Sequence, residues 1–189
     1  MSNCELIKIL ENYNNYEPPA WVITTVSRLV GGVPEKYFNG LKIILLSNAG
    51  GLNHSRKRQK TYTRKRKVAI QECRGLYFQK RHGQSAYIEL FIDKIIQSCP
   101  KILFNLNFFK DLVFSEALYH ELGHHIHKTN APEHKEREDV AEKWKKRLTR
   151  LYFRDRYFYS KMFLTPLIVL LRLLAKLFRL MQRRPRLAI

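Results

Sequence analysis

The stretch FSEALYHELGHHIH, residues 114–127, decides how the rest of the chain is read. Leu112, Phe114, Leu118, Leu122 and Ile126 recur at helical spacing, so a helix is predicted over about residues 106–128. Inside it His120, Glu121 and His124 spell H-E-x-x-H. Positions four apart stack on one helix face, so two imidazoles can reach one metal ion from a rigid support. Glu121 projects beside them, where a carboxylate can handle the proton of a water on that ion. A helix with chance surface histidines is the plain alternative. Two features weigh against it: five of the seven histidines fall between His120 and His134, and the rest of the helix is apolar. Imidazoles on a helix of that character need a partner.

A tetrahedral catalytic zinc takes three protein ligands and keeps one position open. Fourteen residues after His124 comes EDVAEKW, residues 138–144, with acids at Glu138 and Glu142 one helical turn apart. Glu138 is the first candidate for the third ligand, and Glu142 can support a ligating histidine by hydrogen bonding. Ala141 is small where two helices must approach closely, and Trp144 is expected to pack beneath them. His134 is the second candidate ligand. The longer H-E-x-x-H-x-x-G-x-x-H spacing fails, because His127 and Asn130 stand where Gly and His are required. His125 and His127 are read as solvated or supporting groups.

HELGHH followed by E-x-x-A-E-x-W resembles the gluzincin zinc metallopeptidases, in particular the compact minigluzincins and the ImmA/IrrE-type peptidases. The resemblance spans about residues 35–150, with its specific positions confined to 120–144. It implies an α+β, zincin-like domain in which a small, mostly antiparallel sheet packs on the active-site helix. It implies one zinc ion held by His120, His124 and Glu138, with Glu121 as the general base of peptide hydrolysis. Glu142 departs from the pattern, since those families carry Asp or Asn there. The resemblance also makes the strand Ala86–Ile92 the upper rim of the substrate site. That strand presents Tyr87, Glu89 and Phe91 on one face, and a protein or peptide segment would pair along it.

Outward from this centre, helices are expected at 3–13, behind a Ser2/Glu5 capping box, and at 20–30, between Pro18-Pro19 and Gly31-Gly32. LKIILLS, residues 41–47, has strand length and composition. The next twenty residues read as a long exposed loop. Residues 75–79 and 86–92 form strands around an RHGQ turn. A helix runs on from about residue 134, and Thr165-Pro166 opens a very apolar one reaching Gln182. The organisation is thus N-terminal helices (1–34), a catalytic domain (35–155) and a basic apolar extension (156–189).

The chain has 189 residues with 35 Lys+Arg against 16 Asp+Glu, a formal charge of +19. The excess sits in RKRQKTYTRKRK, residues 56–67, and in the segment from Lys143 onward; the remainder is close to neutral. Such asymmetry points to an anionic surface. Residues 56–67 are read first as a solvated loop and second as a nucleic-acid patch with Tyr62 available for stacking. In residues 166–186, Arg172, Lys176, Arg179 and Arg183 form one stripe on a leucine-rich helix, suited to lying on anionic lipid or to packing against the domain. Cys4, Cys73 and Cys99 are scattered, and the N-terminal residues lack a basic leader, so a reducing, cytoplasmic location is expected, with membrane association through the extension. The reading from another class is a non-enzymatic basic protein that binds nucleic acid or a membrane surface.

Overall fold

The computed structural model describes residues 7–62, 67–79, 85–133 and 137–157. The chain divides into two compact units, Met1–Tyr152 and Phe153–Ile189. The first has an α+β architecture and contains the elements described below as far as Tyr152. Strands β1 (Lys8–Asn12), β2 (Leu41–Ser47), β5 (Gly75–Phe78) and β6 (Ala86–Phe91) form one sheet in the order β1-β2-β6-β5. β1 and β6 both run parallel to β2, and β5 runs antiparallel to β6. The sheet is therefore mixed and not mostly antiparallel.

Residues 8–12 are a strand where a helix is expected. β2 is apolar along its length, and its outer backbone groups need partners that only a neighbouring strand supplies. Lys8–Asn12 takes that edge in register from Lys8↔Ile43 to Asn12↔Ser47. This segment is thus built into the sheet of the domain. α1 (Trp21–Gly31) follows, buries Val22, Thr25, Val26 and Leu29, and packs on α4 (Asn107–Asn130).

One face of the sheet presents Ile44, Leu46, Ile88 and Leu90, all fully buried, and α4 crosses this face at β5 and β6. Phe114, Leu118 and Leu122 complete that core. Between α4 and α1, the Tyr119 hydroxyl donates to the Leu29 carbonyl at 3.0 Å. Fully buried Asp111 is satisfied by the Arg28 guanidinium and by the Tyr152 hydroxyl at 2.6 Å.

The second face is covered by the segment expected to be an exposed loop. It contains α2 (His54–Arg58), capped by Asn53 Oδ1, and an antiparallel pair, β3 (Lys60–Tyr62) and β4 (Lys67–Ala69). Ala49, Ile70 and Phe91 form a small buried cluster there, with Leu52, Cys73 and Leu76 packed on it. Arg56, the first residue of the basic run, forms an ion pair with Glu89 of β6, which is 1% exposed. Ser47 Oγ donates to the same carboxylate at 2.8 Å. This part of the basic run is therefore anchored to the sheet and is not a solvated loop.

The strand β6 leads directly into a short helix, α3 (Ile92–Gln97), and a 3-10 turn, Lys101–Asn105, leads into α4. α5 (Glu138–Arg156) follows α4. Among the described residues no helix is long and apolar enough to cross a membrane. The Ser2/Glu5 box, the RHGQ turn, His134 and the stretch 166–186 lie outside the described residues.

Candidate metal centre

α4 carries His120, Glu121 and His124, and the first turn of α5 brings Glu138 against them. The approach is possible because Gly123 and Ala141 face each other where the helices cross. A Cβ built on Gly123 would lie 2.6 Å from the Ala141 carbonyl oxygen and 2.9 Å from its Cα. Ala141 is fully buried. Trp144, one turn along α5 from Ala141, is half-buried. It packs edge-on against Tyr37, ring centroids 5.2 Å apart, with the Arg147 guanidinium over its ring.

The Glu138 carboxylate lies between the two imidazoles. Its Oε2 is 3.3 Å from His120 Nε2, and its Oε1 is 3.8 Å from His124 Nε2. The three residues offer donor atoms that all lie within 4.8 Å of one another. Ligands about 2.1 Å from a zinc ion at tetrahedral angles stand about 3.4 Å apart. The set therefore fits one ion with small side-chain adjustments, and its two nitrogens and one carboxylate match zinc chemistry.

Electrostatics reflect the same closeness. Burial works to lower the His120 pKa, but the hydrogen bond to Glu138 and the charges of Glu121 and Glu138 outweigh it, leaving it above the ordinary imidazole value. The Glu138 carboxyl lies below its ordinary value, chiefly through the hydrogen bond with His120. These opposed shifts mark a tight ion pair.

Glu121 is buried against β5. A Cβ on Gly75 would meet its Cγ at 2.9 Å, so a glycine is needed for the carboxylate to lie along that strand. His120, Glu121 and Glu142 line a cleft of about 360 Å³ together with Cys73, Gly75 and Glu116. Burial, assisted by Glu121, pushes the Cys73 thiol up to about 11, so it stays protonated at neutral pH. Its Sγ donates to the Ala69 carbonyl at 3.7 Å, and it is not one of the three clustered donors.

Glu142 Oε2 comes within 3.8 Å of His120 Nδ1, longer than a hydrogen bond, while Lys145 Nζ holds the same oxygen at 2.9 Å. Lys145 also donates to Glu116 of α4 at 2.8 Å, so it bridges both helices at the wall of the cleft. Sequence reasoning missed this lysine, which stands one residue past the motif on an otherwise unremarkable basic helix.

His125 and His127 are buried, which corrects the solvated alternative of the expected solvated or supporting groups. His125 Nε2 lies 3.0 Å from the Asn39 carbonyl, so that nitrogen must carry the proton. Nδ1 then accepts from the Tyr77 hydroxyl at 3.3 Å. Burial holds the His125 pKa below the ordinary value. This residue ties α4 to β5 and takes no part in the donor set.

The rim strand is also corrected. β6 is hydrogen-bonded on both edges, to β2 and β5, so no peptide can pair with it. Glu89 is used by Arg56 and Ser47, and Phe91 belongs to the buried cluster of the second face. Tyr87 stacks on Phe78 with centroids 4.5 Å apart. The edge strand next to Glu121 is β5, and among the described residues nothing pairs with its outer side. No family model, curated protein or solved structure matches the chain.

Proposed function

We propose that this protein is a zinc-dependent metallopeptidase of the zincin type, with His120, His124 and Glu138 holding the ion and Glu121 as general base. The observation that carries the reading is the convergence of those three donors within 4.8 Å, from two helices, with His120 of the set lining a cleft beside Glu121. A zinc ion there supplies Lewis acidity toward water and toward a peptide carbonyl. Glu121, packed against Gly75, takes the proton of the attacking water and delivers it to the leaving amine. Glu142 places a negative charge 3.8 Å from His120 Nδ1, and Lys145 fixes that carboxylate in position.

The open edge of β5 gives an extended substrate segment a backbone to pair with, which favours a protein or peptide over a sugar or nucleotide. Sparse, scattered cysteines fit a reducing, cytoplasmic setting. The non-enzymatic nucleic-acid reading is weaker, because Arg56 of its basic run is neutralised by Glu89 and Lys57 donates to the Gly50 carbonyl.

Two measurements test the proposal. The purified chain, supplied with zinc, should retain about one ion per chain. Glu121→Gln should retain the same ion and lose hydrolysis of a protein mixture resolved by terminal labelling. A metal-free chain, or full turnover by the variant, would remove the assignment.

A further inference from the structure

Among the described residues the two most exposed large apolar side chains stand four positions apart in one short segment, while the other two, Leu10 and Ile23, lie on β1 and α1. Ile102 is 74% exposed and Leu106 is 56% exposed. Pro100 opens the 3-10 turn over residues 101–105, whose three-residue period sends Phe104 inward and Ile102 outward. Leu106 ends that turn and precedes α4. Phe104 stacks on Trp21 at 5.3 Å, so the patch rests on a fixed aromatic base. Half-buried Phe109 continues the apolar surface on the first turn of α4.

Over residues 94–115 the exposed charge has one sign. Lys101 is exposed beside Ile102, and Lys110 Nζ lies 5.0 Å above the Trp21 ring. Residues 94–115 contain a single acid, Asp111, and residues 18–34 contain none. Asp111 is fully buried and consumed by Arg28 and Tyr152. Asp93, just before, is spent on the backbone N–H groups of Ala49 and Gly50. An apolar tip flanked by lysines, with no exposed carboxylate over residues 94–115, is complementary to anionic lipid, into which the tip inserts while the lysines meet the headgroups.

We infer that the turn Lys101–Asn105 and the start of α4 form a membrane-docking tip that inserts Ile102 and Leu106 into anionic bilayers. The apolar, cationic stretch 166–186 of the same chain supplies a second element of like character in sequence, and stable peripheral anchoring takes two such signals. This inference is independent of the metal centre.

Trp21 and Trp144 are the two tryptophans, so Trp144→Phe leaves a single reporter at the base of the tip. The full chain with that change is mixed with phosphatidylcholine vesicles containing about one-third phosphatidylglycerol, with bromines on the acyl chains. Trp21 fluorescence should be quenched, and raising the salt should reverse it. Adding Ile102→Ser and Leu106→Ser, both at exposed positions, should weaken binding about tenfold or more and abolish the quenching. Sedimentation with vesicles while Trp21 stays unquenched would overturn the inference, as would unchanged binding by the serine variant. So would self-association without lipid that the serine variant abolishes, because the tip would then be a contact between copies of this chain.

Discussion

Replacing Gly123 with alanine should loosen the proposed metal centre more than it loosens the fold. The new Cβ would lie 2.6 Å from the Ala141 carbonyl oxygen, 2.9 Å from its Cα and 3.1 Å from its carbonyl carbon. All three are backbone atoms, so no side-chain rotation relieves the overlap. Reaching ordinary separations of about 3.5 Å requires α5 to retreat by about 0.6–0.9 Å. Overpacking of this kind costs about 1–3 kcal/mol, and the gain in helix propensity returns about 1 kcal/mol, so the net loss of stability is about 0–2 kcal/mol. Glu138 stands on the same helix one turn before Ala141 and moves with it. The contact of 3.3 Å between His120 Nε2 and Glu138 Oε2 then opens beyond the tetrahedral edge. Zinc affinity, measured by competition with a chromophoric chelator, should fall about 10–100-fold, with urea midpoints reporting the smaller change in fold. Unchanged affinity in Gly123→Ala would refute the reasoning. So would rescue by adding Ala141→Gly, since that change leaves the clashing backbone in place.

Gly75→Ala tests the other flank of the site. Here the close atoms are the Cγ and Oε1 of Glu121, a side chain that can turn aside, so fold and metal content should survive while hydrolysis falls. Equal turnover would show that the position of Glu121 along β5 is immaterial. Arg56→Met leaves the Glu89 carboxylate buried without its cation and should cost about 3–5 kcal/mol in chemical denaturation, with Glu89→Gln added to it restoring most of the loss. His125 carries a pKa depressed by burial, so the stability it contributes is present above the unfolded value near 6.5 and is lost as the pH falls through its folded value. Urea midpoints at about pH 7.5 and pH 5 should converge in His125→Gln relative to the parent; an unaltered difference would exclude His125 as its source.

What was legible in the sequence is what depends on short spacing. α1, β2, β5 and β6 follow from local pattern and turn residues, and the placing of His120, Glu121 and His124 on one helix follows from its 3.6-residue period. The convergence of Glu138 required a tertiary step, read from the E-x-x-A-E-x-W pattern and the need for a third ligand, and Gly123, the counterpart of Ala141, lies in the middle of HELGHH. The misreadings share a cause. Lys8–Asn12 forms a strand because β2 has an unsatisfied edge, a fact about a partner some thirty residues away. Arg56 and Glu89 are 33 residues apart, and a run of basic residues looks solvated until one of them is needed by a buried carboxylate. His125 and His127 looked polar, yet α4 is wrapped closely enough to bury both.

The mixed polarity of the sheet explains why the site stands where it does. Three strands run parallel, and each parallel connection places covering structure over a face of the sheet, which closes β2 and β6. β5 reverses direction, pairs antiparallel with β6, and forms the edge opposite β1. Its register sets Gly75 opposite Leu90 and Tyr77 opposite Ile88, which turns both toward α4. Tyr77 then meets His125, and Gly75 meets Glu121 one turn earlier on the same helix. A single strand thereby fixes the rotation of α4 by a hydrogen bond at one point and leaves room for a carboxylate at the next. With that rotation set, His120 and His124 turn toward α5, and the small pair Gly123 and Ala141 brings Glu138 to them. The donor set is thus a consequence of two close approaches, one at each glycine, and not of the histidine spacing alone.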